Sequence, residues 1–184
     1  MSNYHKFREG SFEASVEITR PANVSQYDVN DIINGNGLSV FQDIDLSENE
    51  YAIQKLAEGN DDNVHIEINE VEVYSSNGSA VIKLAPIIQI YNSNAITGST
   101  LTDNTAYDPT YAQLSTKLEQ SINADEFNQS IDFGSNVYKL SANELARRCK
   151  LDANNKLYLG IIAGNTYTPS SGEIIKVVVK GRVL

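Results

Sequence analysis

Apolar and polar residues alternate strictly from Ser11 to Thr19, with Phe12, Ala14, Val16 and Ile18 on one side and Glu13, Ser15, Glu17 and Thr19 on the other. A period of two marks a strand with one face in a core and the other in water. Arg20-Pro21 ends it. The same period returns at Val64–Ile68 and Val71–Val73, but the two sets differ in parity across Asn69-Glu70. One extra residue there, a β-bulge, puts both sets on the core face. At the far end Leu157, Leu159, Ile161 and Ala163 share one face, and Ile175, Val177, Val179 and Val183 share another. Thr168-Pro169 and Ser171-Gly172 lie between them and supply turn dihedrals, which predicts a closing antiparallel hairpin.

Other segments fill in the pattern. Asn77-Gly78 predicts a tight hairpin joining the strand that ends near Tyr74 to a long strand from Ala80 to Tyr91. Pro86 removes a ladder donor from that strand, so an edge position or a local irregularity is expected. Tyr27–Ile33 precedes an Asn34-Gly-Asn-Gly37 turn. Helical spacing occurs at Tyr111, Leu114, Leu118 and Ile122, entered through Asp108-Pro109, and Ser141 with Glu144 fits a capping box. Strands at this spacing without alternating helices predict an all-β antiparallel sandwich, jelly-roll-like, with one or two short helices in its loops. Residues 1–10 read as an extended arm and residues 11–184 as one domain.

Composition narrows the function classes. With 184 residues and 41% hydrophobic content, one core burying about 70% of the unfolded surface is expected. No apolar run approaches the roughly 20 residues of a membrane span, and the first residues carry no apolar stretch behind their basic ones, so neither membrane insertion nor ordinary export is expected. The net charge of −10 opposes attraction to phosphate backbones and argues against nucleic acid as a partner. Cys149 is the one cysteine, so no intrachain disulfide forms. Its setting in Arg147-Arg148-Cys149-Lys150 favours a thiolate only if the side chain is exposed, and a small buried hydrophobe is the plainer reading.

The search for reactive chemistry is mostly negative. His5 sits in the arm, and His65 points to the face opposite the core positions of its strand. There is no nucleophile elbow, phosphate-binding glycine loop or zinc-type spacing. Carboxylates are plentiful, but a hydrolytic pair is a spatial arrangement that abundance does not establish. Asp43-Ile-Asp45-Leu-Ser47 opens like a calcium loop, yet Glu48 and Gln54 stand where that loop needs glycine and glutamate. Asp61-Asp62 reads as a solvated acidic turn. Asn23-Val-Ser25, Asn77-Gly-Ser79 and Asn128-Gln-Ser130 fit the glycosylation pattern by chance. No catalytic, cofactor-binding or metal-ligating residue is assigned, and the chain reads as a non-enzyme without a cofactor.

Ile18-Thr-Arg-Pro-Ala-Asn23 followed by Gln26-Tyr-Asp-Val-Asn-Asp-Ile-Ile33 resembles the opening of a group of tailed-bacteriophage structural proteins, the head decoration or auxiliary capsid proteins. Ile66–Tyr74 is similar to the central strand of that group, Ile87–Asn92 to its leucine-tyrosine-asparagine strand, and Leu157–Gly172 to its closing segment. The resemblance covers nearly the whole chain from about residue 11. Residues 38–62 and 101–126 depart from it, being more polar and helical. It implies a β-sandwich seated on the outside of a capsid, a virion component made in the cytoplasm of a bacterial host. The asparagine-rich, acidic composition suits a phage of an AT-rich host, such as a crAss-like phage.

The implied partners are the major capsid protein, further copies of the chain as dimers or trimers, and a head fibre protein. No nucleic acid or membrane contact is implied. Tyr4, Phe7, Arg8 and Tyr27 are the expected capsid-contact residues, because aromatic and arginine anchors carry most interface energy. The alternative is that Tyr27 is a core position and that residues 1–10 are simply a frayed terminus. The alternative function is a carbohydrate-binding sandwich on a head or tail fibre, with Tyr107, Tyr111 and Tyr167 stacking on sugar rings. The absence of tryptophan weakens it.

Overall fold

A computed structural model describes residues 10–19, 26–33, 42–58, 64–76, 83–92, 104, 106–107, 118–132 and 137–184. Eleven strands and one helix appear among them: β1 Ser11–Thr19, β2 Ile32–Ile33, β3 Gln42–Asp45, α1 Glu50–Glu58, β4 His65–Ser75, β5 Ile87–Tyr91, β6 Leu118–Ile122, β7 Asn128–Asp132, β8 Val137–Ala142, β9 Arg147–Lys150, β10 Lys156–Ile162 and β11 Ile174–Val183. They form two antiparallel sheets packed as a sandwich. The first runs β1-β11-β4-β8-β7 with β9 also on β4, and the second runs β2-β10-β5-β6 with β3 also on β10.

The alternation read from the sequence explains the inner faces. Phe12, Val16 and Ile18 of β1 join Ile66, Ile68, Val71 and Val73 of β4 and Ile175, Val177 and Val179 of β11. Leu157, Leu159 and Ile161 of β10 and Ile88 and Ile90 of β5 meet them from the other sheet. Each such aliphatic side chain contributes roughly 1.5–3 kcal/mol on burial. β10 is buried on both faces, which accounts for its nearly unbroken apolar run.

The bulge is where the parity change placed it. Lys180 pairs with Glu70 and Gly181 with Ile68, so Asn69 is the extra residue of β4. Its unpaired carbonyl accepts the Leu145 amide, 3.0 Å, and its side-chain amide donates to the Leu145 carbonyl, 3.4 Å. β8 and β9 pair with successive stretches of β4, and the chain leaves the sheet between them at the bulge. The excursion thus satisfies the polar groups that the bulge exposes.

Several expected pairings are corrected. β10 and β11 do not form a hairpin: they lie in opposite sheets, and the 163–173 connection crosses between them. Glu173 holds that crossing. Its carboxylate accepts the Ser75 hydroxyl at 2.5 Å, the Tyr167 hydroxyl and the Ser170 amide at 2.9 Å. β4 and β5 are likewise in opposite sheets, which excludes a two-strand hairpin around Asn77-Gly78; those two residues lie outside the described ones. Pro86 lies just before β5, beside Ala85 at φ 46, so the expected local irregularity is present and the strand begins only at Ile87; the edge alternative fails, because β5 lies between β10 and β6. The helix expected to reach Ile122 gives way to strand β6 over Leu118–Ile122, and residues 110–117 lie outside the described ones. Ser141 closes β8 with its hydroxyl on Asn143, 2.5 Å, so no helix opens there. The helix that does form, α1, begins at an Asn49 cap whose Oδ1 accepts the Tyr51 and Ala52 amides at 3.1 Å.

Candidate interaction surfaces

Of the expected contact residues, Tyr4, Phe7 and Arg8 lie outside the described residues. Tyr27 is 1% exposed and its ring is in the core. Its amide and carbonyl form a two-way bridge with Tyr167, 2.8 and 2.9 Å, which joins the segment after the first motif to the sheet-to-sheet crossing. Tyr27 has no exposed ring to present to a partner.

The tyrosines of the carbohydrate reading fare similarly. Tyr167 is buried with its hydroxyl on Glu173. Tyr107 shares a 2.8 Å hydrogen bond with the Tyr91 hydroxyl, and Tyr111 lies outside the described residues. Cys149 is buried, and that burial, with Glu119 nearby, pushes its thiol up to about 12. The basic neighbours in sequence therefore do not produce a thiolate. His65 is exposed on β4. Asp45 accepts the Ser47 amide at 2.8 Å and pairs with Lys156 at 2.9 Å. The Ser47 bonds first, then Lys156, lower its carboxyl to about 2. No cluster of three His, Cys, Asp or Glu suited to a metal ion occurs among the described residues.

Two surface features remain. The first is the outer face of the six-stranded sheet, where cross-strand register sets Glu17, Lys176, Tyr74 and Lys139 in one row and Ser15, Val178, Glu72 and Ser141 in the next. Glu72 is 4% exposed, and burial alone would raise its carboxyl. Bonds from Lys139 at 2.6 Å and Tyr74 at 2.6 Å, with Lys180 at 3.3 Å, outweigh that and hold it at about 2. A carboxylate so firmly ionised cannot donate a proton at neutral pH. Its work is to tie β4, β8 and β11 together.

The second is a cleft of about 600 Å3 between α1 and the 152–156 turn, lined by Ser47, Ile53, Leu56, Asn155, Lys156 and Tyr158 among others. That volume falls within the roughly 300–1,000 Å3 of ligand pockets. Ile53 and Leu56 are 49% and 38% exposed, two large apolar side chains on one rim. Across from them Asp152 caps its own turn, accepting the Asn154 and Lys156 amides at 2.9 and 2.8 Å and the Tyr158 hydroxyl at 2.8 Å. Asn155 closes the turn at φ 57, and its side-chain Oδ1 is buried with no hydrogen-bond partner. The cleft was invisible to sequence reasoning. Its trace in the sequence was the pair Ile53 and Leu56, which nothing there separates from the other apolar residues of the segment, Tyr51, Ala52 and Ala57.

No protein-family model matches the chain, and no curated protein matches it significantly.

Proposed function

We propose that this chain is a non-enzymatic structural protein of a bacteriophage virion, bound to the outer surface of the capsid shell, where it stabilises contacts between capsomers. The motif order from Ile18 to Gly172 supports the reading, and one feature of the fold carries its mechanics. β1 is bonded to β11 along all nine of its residues, and Gly10 before it accepts the Val183 amide at 2.7 Å. The segment bearing Tyr4, Phe7 and Arg8 therefore joins a rigid layer one residue upstream of its first strand.

A load applied to that segment is transmitted to a whole sheet and not to a loop. Such a body bridging two capsomers adds buried surface that must be lost before they separate, and repetition over the shell multiplies a modest contact. The partner is the major capsid protein. Cryo-EM of purified particles, with copies counted per shell, tests this: density for the sandwich outside the shell in fixed stoichiometry is expected. Heads that contain no copies would end the proposal.

A further inference from the structure

We infer that the edge of β1 accepts an extended strand of a partner protein, one that alternates apolar residues with lysine or arginine, and so lengthens the six-stranded sheet. The main chain is set for it. Gly10 stands opposite Val183 and accepts its amide at 2.7 Å, so Phe12, Ala14, Val16 and Ile18 turn their N–H and C=O groups to β11 and the residues between them turn theirs outward. Glu13, Ser15, Glu17 and Thr19 are exposed, and their main-chain groups bond to nothing among the described residues. β1 also lacks the devices that keep an edge from pairing: it has no proline, no bulge and no charge on its core side. The outer edge of β9, by contrast, is closed by β6. There Glu119 accepts the Lys150 amide at 2.8 Å and Gln120 donates to the Arg148 carbonyl at 2.7 Å.

Charge selects the occupant. The outward face of β1 carries Glu13 and Glu17, and the strand holds no cation. Among the described residues Glu13 forms no ion pair, and Glu17 forms one, with Lys176 at 3.4 Å and with its own side chain 58% exposed. Beside these two carboxylates the sheet face opens into a groove of about 510 Å3 that also meets Tyr74, Ile174, Lys176 and Val178, which leaves room for long side chains set down next to them. A second copy fits poorly. Two β1 strands paired antiparallel about Ser15 set Glu13 against Glu17 on both sides of the joint and bring no cation to it. A strand with lysine or arginine on that face answers each carboxylate, and its intervening apolar residues fall on the side of Phe12, Val16 and Ile18. Main-chain bonds then supply affinity and the alternate side chains specificity.

The inference stands apart from the capsid reading, since it needs no shell. Nuclear magnetic resonance of the full chain, titrated with a peptide as long as β1 that alternates lysine and valine, tests it. Saturable binding below about 1 mM is expected, with the amides of Glu13, Ser15 and Glu17 passing from fast to slow hydrogen exchange. Glutamate in place of each lysine should weaken binding at least about tenfold, and Glu13→Lys combined with Glu17→Lys should reverse that preference. In an antiparallel pair the peptide residues opposite Glu13 and Glu17 are the hydrogen-bonded ones. N-methylation of the lysines should therefore abolish binding, and N-methylation of the valines should not. Ser15→Pro removes an N–H that the β1–β11 ladder does not use, so it should weaken binding at least about tenfold with unchanged far-UV circular dichroism. No binding at about 1 mM, a glutamate peptide that binds equally well, or binding that survives methylation of the lysines overturns the inference. So does slow exchange of those amides in the chain alone through self-association. None of these results touches the count of copies per shell that tests the capsid reading.

Discussion

At the scale of single residues, the fold tolerates polar burial where every group is answered and exposes a defect where one is not. Glu173 receives three donors, while Asn155 keeps Oδ1 unanswered at 4% exposure of the residue and sits at φ 57. Glycine adopts that conformation freely, whereas alanine pays about 1 kcal/mol or more for its Cβ there. A buried unsatisfied polar atom costs roughly 1–3 kcal/mol. Asn155→Gly is therefore expected to raise stability by about 1 kcal/mol after the added freedom of the unfolded chain is subtracted. Asn155→Ala should fall at least about 1 kcal/mol below the glycine variant. Urea unfolding of the three proteins checks the order, and alanine equal to glycine would refute the backbone part of the account. Sequence could show an asparagine in a turn here, but not that its oxygen would be sealed from water, because that depends on tertiary packing around a turn whose Asn155 carbonyl is held by the Leu46 amide after β3. Tyr27 illustrates the same limit. Its aromatic character suits a core or a contact equally, and only the bridge to Tyr167 decides between them.

At the scale of elements, what was legible followed from strict periodicity. β1 has the predicted bounds, and the bulge at Asn69 was readable because two core-facing sets of opposite parity admit that repair. The helical expectations fail over 118–122 and at 141–144 because apolar spacing and a capping-box pair are local signals, and strand pairing with β5 and β4 overrides them there. The bulge also imposes a steric demand on its partner. Beside it, a Cβ at Gly181 would stand 2.2 Å from the Glu67 carbonyl oxygen and 2.9 Å from the Phe12 ring. Neither atom can retreat cheaply, the first being backbone in a ladder and the second core. Gly181→Ala is expected to cost more than about 2 kcal/mol. Gly172→Ala, at φ 68 with nothing within 4 Å, should cost only the backbone strain of about 1–2 kcal/mol. Denaturant midpoints with unchanged m-values would measure both, and a mild Gly181→Ala would mean that the bulged strand moves freely.

At the scale of the whole molecule, the two layers were predictable and their wiring was not. Alternation marks which side of a strand is buried, and it is silent on whether consecutive strands share a sheet. The 163–173 connection reads as a hairpin turn in sequence because its dihedrals suit one, while the Tyr27–Tyr167 bridge and the Glu173 cluster turn it into a crossing. Once strands from distant parts of the chain are neighbours, charge can lock them. Glu72 joins Lys139 of β8 and Lys180 of β11 across three strands, from residues 67 and 108 positions away. Its folded carboxyl is lowered from 4.5 to about 2, so the unfolded chain binds the proton first as pH falls. The stabilisation is therefore complete above pH 4.5 and lost progressively toward pH 2. It amounts to roughly 3 kcal/mol at most, at about 1.4 kcal/mol per pH unit. Asp45 is lowered over the same window, but its side chain is 47% exposed, so water and salt screen its share to a small fraction. Glu72→Gln should accordingly be less stable than wild type by about 2–3 kcal/mol at pH 7, with the gap closing as both are titrated to pH 2.5. Urea unfolding at intervals between those values measures it. Parallel curves over the acid range would show that the three-strand network adds nothing to the sandwich, whereas convergence identifies Glu72 as the group whose protonation loosens the six-stranded sheet.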